Sequence, residues 1–220
     1  MVEQSEKEAK AFFIRAYFER LEGRARFAQE LWEAGRKPEA LLLACACIEA
    51  VANFHYFPNK ESRYNFAKLL VEHGEVKFLK MIHPVALLDA IRGRSSQEPG
   101  IAEKLEPHLP LNPTRFMTRS QLEENLRQSF TEPEFQGLLA ISTLGTVAAV
   151  AYKFLRNPLA HWGSEMTSVS FNGTELDGQS APDVTFDMIH AALVNIIEYL
   201  GRISLETNRW FGHDLGGRVP

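Results

Sequence analysis

The sequence predicts an all-α protein, a bundle of four or more main helices with one small β-hairpin. Three observations predict it. Apolar residues recur at three-to-four spacing through most of the 220 residues. Only one stretch, Ser168 to Leu176, alternates with period two. The composition, 45% hydrophobic and 24% charged with 14 Gly and 11 Pro, is that of a globular chain, which excludes disordered, collagen-like and low-complexity classes. A chain of this length buries roughly 70% of its unfolded surface, so residues 1–220 are read as a single domain needing no disulfide or metal staple.

The first helix carries an apolar stripe of Phe12, Phe13, Ala16, Tyr17 and Leu21, extended by Phe27, Leu31 and Trp32 until Gly35 breaks it. Pro38 opens the second, where the missing first-turn N–H needs no partner. That helix, Ala40 to about His55, is apolar on nearly all sides and belongs at the centre of the fold. A third runs from Glu61 to His73, with Gly74 as a left-handed cap. Two short helical pieces follow between Glu75 and Ile91, divided at His83-Pro84. Residues 95–118, with five prolines or glycines between Pro99 and Pro113, read as an irregular connection or insertion.

A helix from Ser120 to Phe130 comes next. Glu132-Pro133-Glu134 then starts the most apolar helix, expected to run unbroken to Phe154 or Arg156, its acidic start and basic end suiting the helix dipole. Asn172-Gly173 between two alternating runs is a strong hairpin signal. The last helix begins near Pro182-Asp183, and residues 212–220 form a Gly-rich, mobile tail.

The net charge of −4 argues against a basic nucleic-acid scaffold, though not against an enzyme that touches RNA in one cleft. Cys45 and Cys47, in an apolar run, read as buried thiols. The histidines show no metal-ligand spacing, and there is no phosphate-cradling glycine loop. The charged N-terminus is no export signal. The apolar stretches 40–52 and 138–152 fall short of the roughly 18 residues that span a bilayer, so the expected setting is cytoplasmic.

One segment carries chemistry: Phe154-Leu155-Arg156-Asn157-Pro158-Leu159-Ala160-His161-Trp162-Gly163. Asn157 precedes a proline, which predicts a helix end at Arg156, with Asn157 as the next N-cap and Gly163 closing one turn. Such a corner would hold Arg156 and His161 with both tips toward one cleft. Arg156 matches a phosphate with two parallel hydrogen bonds, and His161 moves protons near neutrality. Asn157 either contacts phosphate, orients His161 or simply caps the turn.

With its helical setting, this segment resembles the HEPN superfamily, whose hallmark is an arginine, a following polar residue and a histidine after four to six positions. Here these are Arg156, Asn157 and His161. The resemblance implies a metal-independent endoribonuclease, without cofactor, acting as a homodimer on an RNA substrate by 2′-hydroxyl attack, in toxin–antitoxin or anti-phage systems. An inhibitor or antitoxin protein would be a possible partner. Some members have lost activity and only bind, so a non-catalytic interaction module or a nucleotide- or RNA-binding module is the alternative.

Glu49 is the one carboxylate inside the central apolar helix. A buried carboxylate needs a cation or donor, so Glu49 either lies near Arg156 or His161 or sits solvated at the edge. Asn53, His55 and Tyr56 line the same cleft or end the core. Tyr152 and Lys153 precede the motif by a turn, and Lys153 either contacts phosphate or complements the helix dipole. Arg63, Tyr64 and Lys68 offer two cations and an aromatic for nucleic acid, or an ordinary solvated face.

Overall fold

The computed structural model describes residues 2–59, 61–94, 100–110, 115–162, 166–171, 175–176 and 179–213. The chain is mostly helical. Its main core joins four long helices: α1 (Val2–Glu33), α2 (Lys37–His55), α3 (Ser62–His73) and α10 (Phe186–Thr207). α2 buries Leu41, Ala44, Cys45, Ile48, Val51 and Ala52 against α1, α3 and α10, as its all-round apolar sequence requires. Cys45 and Cys47 are buried free thiols, and burial pushes Cys45 up to about 12, so it stays unreactive at neutral pH.

The buried stripe of α1 differs from the expected one. Ile14, Phe18, Leu21, Ala25, Ala28 and Leu31 face the core, whereas Phe12 and Phe13 are more than half exposed, at 64% and 60%, and Phe27 is exposed as well. Two overlapping stripes compete on this helix, and the one whose spacing persists for five turns is buried. Phe18 lies over Gly201 of α10, where an added Cβ would come within 3.3 Å of its ring.

Between α3 and α10 the chain builds a second, smaller core. A 3₁₀ turn (Lys77–Lys80) leads to α4 (Pro84–Arg92). Then come α5 (Ile101–Leu105), α6 (Arg119–Arg127) and α7 (Glu132–Ile141). Ile82, Leu87, Ile91, Leu105, Leu122 and Leu138 are among the side chains that close this core. The expected irregular stretch 95–118 thus contains a short helix and a 3₁₀ turn (Glu106–His108), and it anchors Ala102, Leu105 and Met117 inside. Residues 95–99 and 111–114 lie outside the description. α6 and α7 both start with capping boxes, Thr118 with Gln121 and Thr131 with Glu134.

The helix expected to run unbroken from 134 to 156 is interrupted. α7 ends at Ile141, a 3₁₀ turn spans Ser142–Gly145, and Thr146 is extended. There the chain pairs with the extended segment Met81–His83: His83 N–H donates to the Gly145 carbonyl and Val147 N–H to that of Met81. Ile82 pairs in turn with Met117, so both neighbours of the 82 strand are used. The Thr146 hydroxyl then caps α8 (Val147–Ala151). The run Ser142-Thr143-Leu144-Gly145-Thr146 was the break signal.

Gly74 caps α3 in right-handed, not left-handed, conformation. Left-handed residues instead follow α3 one position later, at Glu75, and also follow α1 at Gly35 and α10 at Asn208. The period-two stretch also pairs differently: Val169 bridges to Val184, and β1 (Glu175–Leu176) pairs antiparallel with β2 (Gln179–Ser180). Asn172-Gly173 and the tail 214–220 lie outside the described residues. α2 and α10 are both, against expectation, long and apolar enough by length and composition to cross a membrane, and both are core helices here.

Candidate functional site

α8 passes into a π turn (Tyr152–Arg156) and on into α9 (Asn157–Trp162) without the expected corner. Asn157 is right-handed helical, and its N–H donates to the Tyr152 carbonyl five residues back. It is therefore no N-cap. The wide turn explains the continuity, because the Pro158 ring would strike the carbonyl four residues earlier in a regular α-helix. π turns of this kind recur at functional sites.

The turn aims Tyr152 and Arg156 at α2. Arg156 Nε donates to Glu49 Oε2 at 2.8 Å, and the Tyr152 hydroxyl donates to Glu49 Oε1 at 2.9 Å. The Arg156 and Glu49 side chains are only 19% and 16% exposed, so the pair is weakly screened. Both carboxylate oxygens thus have donors, which answers the cost of placing Glu49 in an apolar helix. Burial first, and then the bond to Glu49, holds Tyr152 up at about 12, so at neutral pH it is a donor and not a base.

His161 is exposed, five residues beyond Arg156. Five helical steps rotate it roughly 140° away, and no hydrogen bond joins the two among the described residues. Leu159 between them is buried. One chain therefore unites Glu49, Tyr152 and Arg156 and leaves His161 on another face. Asn157 and Pro158 are half-buried, and Gly163 lies outside the described residues.

The remaining candidates divide. Arg63 donates to the carbonyls of Ala149 and Leu144, tying α3 to α8 and to the 3₁₀ turn before it. Lys68 sits over the Tyr56 ring at 4.4 Å and near Glu72. Tyr64 is half-buried, and Lys153 is exposed over the Phe154 ring. Asn53 bonds Ser62 and Asn65, and Tyr56 donates to Glu72, so these two end the core and do not reach Arg156. His55 instead contacts His213, a residue no spacing rule singled out. Among the described residues no cluster of three or more His, Cys, Asp or Glu is arranged to hold a metal.

A groove of about 530 Å³ opens beside the π turn, and Glu49 does not line it. Lys153 and Phe154 line it, while Arg156 and His161 do not. Sequence reasoning missed this groove, since its walls come from segments far apart in the chain. Compared with protein-family models, curated proteins and solved structures, the chain matches none.

Proposed function

We propose that the protein is a metal-independent endoribonuclease of HEPN type that works as a homodimer in the cytoplasm, possible settings being toxin–antitoxin pairing or phage defence. The observation that carries the reading is the Glu49–Arg156 pair at 2.8 Å, on the π turn that leads directly into the short helix bearing His161. Glu49 and Tyr152 hold the Arg156 head in one orientation, which is what a phosphate-stabilising group requires. The ribose 2′-hydroxyl attacks the adjacent phosphorus, and the bond to the 5′ oxygen breaks. His161 moves the proton, and Arg156 stabilises the extra negative charge of the transition state. The products are a 2′,3′-cyclic phosphate and a 5′-hydroxyl. Because His161 faces away from Arg156 of its own chain, the reading needs a second copy to bring the two types of side chain into one cleft.

A second reading, a non-catalytic binding module, is favoured by one fact: the charge of Arg156 is already met by Glu49. RNA cleavage in EDTA decides between them. Arg156→Ala and His161→Ala are each expected to slow cleavage by about 10²- to 10⁴-fold. A folded wild type that leaves varied RNAs intact overturns the nuclease reading.

A further inference from the structure

The groove beside the π turn has a composition of its own. Val85 and Ala90 of α4, Phe154 and Phe171 give it apolar and aromatic walls, and its volume of about 530 Å³ falls in the small-ligand range. Arg63 reaches it half-buried from α3, and Lys153 from the π turn. Neither forms an ion pair with a carboxylate among the described residues. Arg63 spends its bonds on two neutral carbonyls, so its charge is held in place but not neutralised. Burial, and then nearby Arg94, disfavour that charge and lower the Arg63 pKa, which marks a place where an anion is gained cheaply.

His83 adds a neutral donor. Its Nδ1 accepts the Ala86 N–H, which leaves the ring proton on Nε2. Burial holds the ring neutral by lowering its pKa. Among the described residues, Asp89 is the one carboxylate on the lining. Two described cations against that carboxylate give the described lining a positive balance in a protein whose overall charge is −4.

We propose that this groove binds a small organic anion with a flat apolar body, its anionic group toward Arg63 and Lys153 and its body between Phe154 and the Val85 wall. The site takes no part in the cleavage chemistry proposed above, since neither Arg156 nor His161 lines it.

The test uses the full chain and two fluorescent probes, anilinonaphthalene sulfonate and its uncharged analogue phenylnaphthylamine. The wild type is expected to bind one sulfonate per chain. Lys153→Glu should weaken the sulfonate at least about ten-fold and Asp89→Asn should tighten it several-fold, with the neutral probe changed less than about two-fold in both. Ala90→Trp, which fills the groove, should abolish both probes. Lys153 and Asp89 are exposed, so their variants fold whether or not Ala90→Trp does. No saturable binding overturns the proposal, as does sulfonate binding that survives a folded Ala90→Trp. Equal losses of both probes in Lys153→Glu remove its anion half and overturn it as stated.

Discussion

Glu49 and Arg156 are 107 residues apart in sequence, yet each explains the other. A carboxylate in an apolar helix demanded a partner, and that demand was legible in the sequence, because physical cost, not pattern, carried it. The direction of His161 was not legible, since it depends on whether the chain bends at Pro158 or widens. The Arg–Glu pair is largely buried, so removing one member strands the other charge. Glu49→Ala is expected to cost about 1–3 kcal/mol in chemical denaturation, discounted from the fully buried case because both side chains keep some exposure. Glu49→Gln, whose amide oxygen can still accept from Arg156 while its NH2 donates to the Tyr152 hydroxyl, should lose less. A double-mutant cycle with Arg156→Met should show coupling of about 1 kcal/mol, and strict additivity would show that the pair contributes nothing to stability.

At the scale of elements, the helices with one dominant stripe and a clear start were readable: α2 from Pro38, and α4 from His83-Pro84, where the His83 side chain provides the cap. What was not readable were choices settled by distant partners. The apolar run 134–156 breaks because Thr146 finds a backbone partner in Ile82, more than sixty residues earlier, and helical periodicity cannot register such a pairing. In α1, Phe12 and Phe13 looked like core because aromatics usually are, and they lost to Ile14 and Phe18 on register alone. The break also requires close approach. A Cβ on Gly145 would lie 2.5 Å from the Leu87 Cβ, so α4 packs directly on the 3₁₀ turn. Gly145→Ala is therefore expected to destabilise the protein by about 1–3 kcal/mol, read from denaturation midpoints. An unchanged midpoint would mean that α4 and the turn can separate at no cost.

Across the whole molecule, the main core and the smaller one share the irregular segment that carries Thr146, and histidines lie along the packing of both. His55 at the end of α2 lies 3.2 Å from His213 after α10, and beside His73 of α3. Burial first, then His213, His73 and Lys68, push His55 down to about 3. Burial also lowers His73, against the opposing pull of Glu72 and Glu75, and lowers His83 against that of Asp89. In the unfolded chain all three titrate near 6.5. Below that pH the unfolded state binds more protons than the folded one, so acid favours unfolding. Stability is therefore expected to be full and flat above about pH 7 and to fall steadily from about 6.5 downward, with the His55 contribution still being lost as pH approaches 3. Melting temperatures between about pH 6.5 and 5.5 report mainly the histidines, because ordinary carboxylates, with pKa values near 4, are still almost fully ionised there. His55→Gln, which keeps a polar side chain but no titrating ring, should give a shallower fall over that range while matching the wild-type shape above pH 7. An identical slope in the variant would mean that the charge state of His55 does not control how the C-terminal segment docks on α2.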